Sequence, residues 1–481
     1  MPAYSRLDFS DFSEGLIDRT LDSKIPVNSA QACSNFIGWQ VGALDKRNGQ
    51  VHLNSIALGG PIQGLYACYI GGVRQILAAA NGSVYVWTGS AWSSIYSGLS
   101  TTAQINFCTL INQVVFSDGV NTPASYTGSG SATPLTGAPV GGQFPTFFAD
   151  CLFVVGAPSS STTSSELLWS APFYPANFMD LQYYWQVWQG DGDVITALVP
   201  FLNDLVVFKR YSVHVLKGAS IEDYSMVDYM QGIGCVGAQA ACVFNELIWF
   251  VADDGLYYFD GVDTGSISYD RIPNWFRNNV NAAAITKAAC GVWRNWIWFA
   301  LPTGSSTTNN AVVLYIPPAT GATGGKFFIL NGINAQQFLR YNTGSGLEFF
   351  AGDPNGYVNQ LDTGSSDFGN AISAYWIPQT IDKNIGTYKM LGKASIADTP
   401  GWTTRADLFV ATEDSGSYTQ ATVDTELTDS LREVFRVYGT YRFHQLQAKL
   451  SHTYLGPYEV RNLVLDIATK GGTPQTKAKG V

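Results

Sequence analysis

Four groupings of residues in this 481-residue chain could do chemistry. The histidines His52, His214, His444 and His452 come first, because imidazole is the common metal ligand and general base. They lie far apart. His444 and His452 are eight residues from each other on one expected strand, and no His-Glu-x-x-His occurs, so strand packing is the better reading than a metal centre. The run Gly232-Ile233-Gly234-Cys235-Val236-Gly237 has the form Gly-x-Gly-x-x-Gly. To hold a pyrophosphate it would have to open a helix. It leads instead into a short apolar run and a hairpin, so these glycines are expected at the entrance to a sheet. The close carboxylate pairs Asp191/Asp193, Asp253/Asp254 and Glu222/Asp223 could supply the acid and base of a glycoside hydrolase. Most sit at turn positions, where Asp is favoured for local hydrogen bonds. An acid pair assembled from distant segments stays open, although the Ser-x-Asp-x-Gly-x-x-Trp repeat of sialidase-like propellers is missing. The aromatic run Tyr183–Trp188 fits a carbohydrate or protein surface, or equally a sheet edge packed on its neighbour. No catalytic, cofactor-binding or metal-ligating residue is assigned, and no cofactor is expected.

The elements that would position these residues are short strands. In Gly234–Gly261 the apolar runs Leu247–Ala252 and Leu256–Phe259 flank Asp253-Asp254-Gly255, a hairpin signal because Gly supplies positive φ for a primed turn. An earlier run, Gln239–Phe244, is separated from Leu247 by Asn245-Glu246, which suits a second tight turn. Sheets this small need neighbours, and the chain supplies them by repetition. FVADDGLYYFDG is matched by AAANGSVYVWTG around Asn81-Gly82, further copies follow at Asp118-Gly119 and Asn355-Gly356, and Leu205–Phe208 with Ser212–Leu216, closed by Lys217-Gly218, gives one more. Two copies stretch the hairpin loop, at Ser159–Ser165 and Gly304–Asn310. Ile76, Val114, Leu152, Leu205, Leu247, Trp296 and Leu347 are then equivalent. They recur at the ~40–50-residue period of propeller blades built from four-stranded sheets.

The fold class is therefore all-β: a β-propeller of about seven degenerate blades with an appended C-terminal β-sandwich-like domain. The expected organisation is an N-terminal arm packed on the propeller over residues 1–58, the propeller over 59–370, the second domain over 371–469 and a flexible tail over 470–481. Few segments read as amphipathic helices; the best candidate, Ala30–Trp39, is short. In the second domain Leu446, Ala448 and Leu450 share one face of a strand, and Gln445, Gln447 and Lys449 the other.

Composition narrows the function. Hydrophobic residues make up 46%, so a large core is available, and the net charge of −10 argues against gripping nucleic acid. A channel through which DNA slides is compatible with that charge. The seven cysteines are widely spread with no Cys-x-x-Cys pair, as expected of core thiols in a reducing cytoplasm. Met1–Asp11 lacks the charged start and apolar core of a signal peptide, and no apolar run reaches the ~20 residues that would span a membrane.

Three segments carry a resemblance: Asn35-Phe36 with Gly42-Ala43-Leu44-Asp45-Lys46-Arg47-Asn48-Gly49, then GIGCVGAQAACVFNELIWFVADDGLYYFDG, then Phe443–Ser451. Together the chain resembles the tail hub or nozzle proteins of short-tailed bacteriophages, also called head-completion or DNA-stabilisation proteins. The resemblance implies a structural virion protein, made in the bacterial host cytoplasm. Six copies would form a ring below the portal and adaptor and meet tail fibre or needle proteins. The ring would retain packaged double-stranded DNA and conduct it at ejection without reading its sequence. Asn35, Phe36, Lys46, Arg47, Trp185 and Trp188 are the expected partner-interface residues. The competing reading is a glycan-binding or glycan-hydrolysing propeller of the virion.

Overall fold

The computed structural model describes residues 4–157, 163–178, 184–382, 389–398, 405–412, 417–423, 432–436, 442–443 and 445–469. The expected tail, 470–481, and His444 lie outside them. The chain divides into two compact units. One holds Met1–Gly49, Lys326–Asn331 and Gly364–Val481, and the other holds Gln50–Gly325 and Gly332–Thr363. Residues 1–49 are thus not an arm of the propeller-type unit. They fold with the C-terminal strands, and the first boundary falls at 49/50 instead of 58/59.

The larger unit is a mostly β, propeller-type arrangement of antiparallel meanders. Sheet I comprises Ile62–Ile70, Val73–Ala80, Ser83–Trp87 and Trp92–Ser97. Sheet II runs from Asn106–Leu110 to Thr133–Pro134, sheet III from Gln143–Phe148 to Tyr184–Gln186, and sheet IV from Ile195–Phe201 to Ser225–Gln231. Sheet V runs from Ala241–Phe244 to Thr264–Ser266. Sheet VI contains Ala289–Trp293, Trp296–Leu301 and Ala311–Ile316. Sheet VII contains Gln337–Asn342, Leu347–Gly352 and Val358–Leu361, and takes its outer strand, Gln50–His52, from the beginning of the unit. Every one of the seven equivalent positions named from the sequence lies on the second strand of its sheet.

The first strand of each sheet lies beside the first strand of the next, and Gln337–Asn342 of sheet VII lies beside Ile62–Ile70 of sheet I. Alternation along each strand gives every inner sheet two apolar faces, one for each neighbour. Leu77, Ala79 and Val84 of sheet I pack with Val114, Phe116 and Ala124 of sheet II. Phe153, Leu167 and Trp169 of sheet III pack with Leu205, Val207 and Leu216 of sheet IV. Ile62, Leu65 and Ile76 of sheet I meet Phe350 and Val358 of sheet VII. Each Val, Leu, Ile or Phe among them, buried completely, contributes roughly 1.5–3 kcal/mol of transfer free energy.

The turn chemistry departs from expectation in an instructive way. Asn245 and Glu246 both adopt positive φ, 51° and 57°, as a primed turn requires. Gly255 does not adopt positive φ; a Cβ there would stand 2.6 Å from the Ser268 hydroxyl that accepts the Leu256 N–H, so a side chain would have to displace that bond. In the turn of sheet II that corresponds to Asn245-Glu246, Ile111 is held at φ 54° with 55% of its surface exposed. A β-branched residue in that region is strained by roughly 1–2 kcal/mol. Ile111→Asn is expected to stabilise the protein by about 1 kcal/mol in urea denaturation; a loss of stability would show that the Ile111 side chain makes a compensating contact.

The smaller unit contains two sheets. In one, Lys389–Asp398 and Glu459–Thr469 are central, and Tyr4–Phe9, Phe36–Ile37 and Leu44–Lys46 join them. The other places Gly15–Leu16 between Lys326–Asn331 and Ser29–Ser34 as parallel neighbours, then continues through Ala374–Pro378, Leu446–His452 and Asp407–Thr412. The helix expected over Ala30–Trp39 is absent: Ser29–Ser34 and Phe36–Ile37 are strands separated by Asn35 at φ 57°. The chain's longest described helix, Pro273–Asn279, carries Pro at its first turn, where the missing N–H costs nothing.

Candidate functional site

A cluster of polar side chains sits at the end of sheet IV. Ser212 and His214 are two apart on the strand Ser212–Lys217 and so share a face. A register shift between Val213 and His214 brings Asp228 of the neighbouring strand opposite His214. Such bulges re-aim side chains. The Ser212 hydroxyl lies 3.0 Å from His214 Nε2, and His214 Nδ1 lies 2.5 Å from Asp228 Oδ1. Trp188 Nε1–H donates to the second oxygen of Asp228 at 2.8 Å.

A Ser–His–Asp line with those distances is the geometry that activates a nucleophile. Its exposure runs the opposite way. Ser212 and His214 are buried, whereas the Asp228 carboxyl is 39% exposed. A substrate arriving from solvent meets the carboxylate and the indole, with the hydroxyl behind them. The line therefore anchors Trp188, itself at φ 46°, to the sheet. Asp228→Asn keeps the shape but weakens the tie to His214. The expected cost is about 1 kcal/mol, with a changed environment for Trp188, checked by denaturation and indole chemical shift.

The carboxylates singled out from the sequence are occupied in the same region. Lys209, completely buried, donates to Asp191 at 2.7 Å and to the Trp188 carbonyl at 3.1 Å. Burial pushes the Asp191 carboxyl upward, but the Lys209 ammonium and the Asp193 N–H outweigh it and hold the pKa below the usual value. Asp193 accepts the backbone N–H groups of Val194, Arg210 and Tyr211. Arg210 forks onto both oxygens of Asp253, at 2.9 and 2.7 Å, and so ties sheet IV to sheet V. Asp254 accepts the Tyr257 hydroxyl. Gly234 lies against the backbone of Lys209 and Arg210, and Gly237 leads into the three-residue 3-10 turn Ala238–Ala240. The Gly-x-Gly-x-x-Gly run is thus the entrance to sheet V.

A second opening, of about 360 Å³, lies where the first strands of sheets II, III and IV meet the segments that lead into V and VI. Gln104, Asn106, Asp118, Gln143, Thr196 and Lys287 give it polar walls. The Gln239 amide donates to Asn106 at 2.9 Å, from the segment before sheet V to the first strand of sheet II. Three backbone N–H groups, from Asn121, Ser100 and Val120, more than offset burial and lower the pKa of Asp118.

Of the residues expected at a partner interface, Trp185 and Trp188 are exposed, at 37% and 49%. Asn35, Phe36, Lys46 and Arg47 are buried inside the smaller unit and present no surface. Arg47 donates to both oxygens of Asp367, to the Asn35 side chain and to the carbonyls of Asn48 and Asn331. Lys46 donates to the carbonyls of Tyr454 and Gly456, at 2.7 and 3.0 Å, with its Nζ 3.2 Å from His452 Nδ1. Burial first, and the Arg47 charge second, pull the Lys46 ammonium down to about 8. His452, stacked on Tyr458 at 4.2 Å, is pushed down to about 4 by burial and then by Lys46. The adjacent Lys-Arg pair therefore staples one sheet of this unit to the other.

Six of the seven cysteines are buried. Burial pushes the thiols of Cys33, Cys108 and Cys235 up to about 12, which leaves them unreactive. Among the described residues no group of three His, Cys, Asp or Glu side chains is placed to hold a metal ion, and no helix is long and apolar enough to cross a membrane.

No family model matches the chain, and no curated protein matches it. Among solved structures, BamB from Moraxella catarrhalis is 11% identical with a TM-score of 0.38, covering 65% of this chain and 97% of BamB. The extracellular domain of a hybrid two component system from B. thetaiotaomicron is 10% identical with a TM-score of 0.45, covering 81% of this chain and 47% of its own. PorZ, a surface component of the type-IX secretion system of Porphyromonas gingivalis, is 10% identical with a TM-score of 0.36, covering 73% and 44%. This chain spans about half the length of the last two.

Proposed function

We propose that this chain is a structural, non-catalytic virion protein: a tail hub or nozzle subunit of a short-tailed phage. In this reading the larger unit is a seven-bladed β-propeller closed by Gln50–His52, and the smaller is a β-sandwich-like domain. Six copies form a ring that retains packaged double-stranded DNA and passes it at ejection. The observation that carries the reading is where the resembling segment Asn35–Gly49 falls. Its Lys46 and Arg47 are the staple of a buried core, so the resemblance rests on positions that define architecture.

The opening at the meeting of the first strands supports a particular form of the proposal. At about 360 Å³, and with the Asn106–Gln239 bond beside it, it has no room for a nucleic-acid duplex. DNA would pass along an axis between copies. The net charge of −10 suits a lumen that does not grip phosphates. Trp185 and Trp188 are the exposed aromatic residues offered to a neighbouring copy, an adaptor, or a fibre or needle protein.

Electron microscopy and native mass spectrometry of the purified chain, alone and with its adaptor, test this. The expected result is a closed ring of six with an axial channel and no release of sugar from polysaccharides. A persistent monomer that cleaves polysaccharide would overturn it in favour of the glycan-acting reading.

A further inference from the structure

We propose that the turn end of sheets III, IV and V is a docking surface for a segment of a partner protein that carries basic and apolar side chains. The first strands of sheets II to VI all begin around the opening described above, at Gln104, Gln143, Ile195, Ala238 and Lys287. They therefore run in one direction, and each finishes at the opposite end of the unit. The third strand of an antiparallel meander runs the same way as the first. The turns that follow both strands share that end. Trp188 lies toward the opening, so this surface is not the one it offers.

Bulky apolar side chains occupy these turns where small or polar ones would fit better. Ile111, Phe173 and Leu202 are 55%, 57% and 70% exposed, and all three are held at positive φ, at 54°, 65° and 52°. Glycine or asparagine suits that backbone. A large apolar residue there is strained and buries little of itself, which points to a use outside the folded unit. Tyr174 and Val262, 68% and 71% exposed, extend the patch. Its parts adjoin one another. The Phe173 N–H donates to the Asp150 carbonyl at 2.8 Å, and Tyr224 packs on Phe148, which brings the turn bearing Glu222 and Asp223 alongside. Phe201 meets Phe259 at 6.4 Å and Gly261 lies against its ring, so the Leu202 turn sits beside the Val262 turn.

Charge decides what covers the patch. Acidic and basic residues balance in the smaller unit, so the net charge of −10 falls on the larger one. No lysine or arginine occurs from Gln75 to Phe208. Among the described residues Asp150, Glu222, Asp223, Glu246, Asp260 and Asp263, all at this end, form no ion pair. The cation among them, Lys217, lies 5.3 Å over the Tyr229 ring. Anionic lipid, nucleic acid and a second copy of this unit carry the same sign and are repelled. A segment that sets lysine or arginine beside leucine or phenylalanine meets both features, with apolar side chains for the patch and cations for the surrounding carboxylates. The surface does not depend on ring assembly, and the two are read by different measurements.

The test titrates the full chain, methyl-labelled, with a synthetic amphipathic helix of leucine and lysine. The Leu202 and Val262 methyl resonances are those lost in Leu202→Asn and Val262→Thr. The expected result is a saturable shift of both, while the exposed Val120 and Val140 methyls at the opposite end stay unmoved. Leu202→Asn suits its φ and should fold at least as stably as the parent, yet bind the peptide about tenfold more weakly. Should it lose the fold in urea denaturation, Val262→Thr takes its place. Glu222→Gln, Asp223→Asn and Glu246→Gln together should weaken binding about three- to tenfold and flatten its salt dependence. The inference is overturned if neither methyl moves, or if Val120 and Val140 move equally, which is attraction to net charge alone. It is overturned also if the folded Leu202 or Val262 variant binds unchanged, or if phosphatidylcholine vesicles move the two methyls and the peptide does not.

Discussion

Arg47→Ala is expected to lower the stability of the smaller unit by about 3–5 kcal/mol, the cost of removing one partner from a buried, hydrogen-bonded ion pair. The Arg47 side chain is 3% exposed and reaches Asp367 at 2.5 Å through a two-pronged contact. Its removal strands the Asp367 carboxylate, takes the guanidinium donor from the Asn331 carbonyl, and leaves the Asn35 amide oxygen with only the Asn331 N–H. Arg47→Lys should recover little, because an ammonium cannot present the planar fork that meets both carboxylate oxygens. Urea denaturation followed by far-ultraviolet dichroism reads the loss. A change below about 1 kcal/mol, typical of an exposed pair, would show that the staple carries no weight.

The second large effect is a pH dependence centred on His452. In the unfolded chain this imidazole takes up a proton at its ordinary value, about 6.5; in the folded protein it does so at about 4. Between those values the unfolded state binds more protons, so stability falls as the pH is lowered through that window and levels off below it. The expected loss is about 2 kcal/mol, discounted from the full linkage value for solvent screening near the site. His452→Gln removes the titrating group, and its stability profile should be flatter between those pH values. The lowered carboxylates Asp118 and Asp191 give up their stabilisation at more acidic pH, below their ordinary value of 3.8, in both proteins alike. A variant with the same slope as the parent would assign the pH dependence elsewhere.

The repeat was legible because its punctuation is local. Asn81-Gly82 adopts φ 48° and 71°, and a two-residue turn flanked by apolar runs announces itself in any single copy. The pairing of Gln50–His52 with Val358–Leu361 was not legible, since no local signal joins a three-residue strand to a partner about 300 residues away. Ala30–Trp39 misled for a related reason. The strand Ser29–Ser34 has neighbours on both sides in its sheet and is buried at both ends, so the alternation that marks a half-exposed strand is lost. Lys46 and Arg47 misled because charge in a Gly-rich segment reads as surface. Their burial depends on carbonyls of Asn331, Tyr454 and Gly456, from segments far along the chain. The Ser212–His214–Asp228 line needed a register shift that no spacing rule supplies.

The borrowed outer strand of sheet VII also sets a timetable. Gln50–His52 leaves the ribosome long before Val358–Leu361. At ~5–20 residues per second, a separation of about 300 residues keeps it waiting roughly 15–60 s. Throughout that interval sheets I to VI can form one after another as each meander is completed, while the last seam stays open. Nascent chains stalled before residue 358 should therefore be protease-sensitive at that seam and prone to pair with one another through it. Gln50–His52 finds its partner only once Val358–Leu361 has been made, while the C-terminal strands of the smaller unit are still to come.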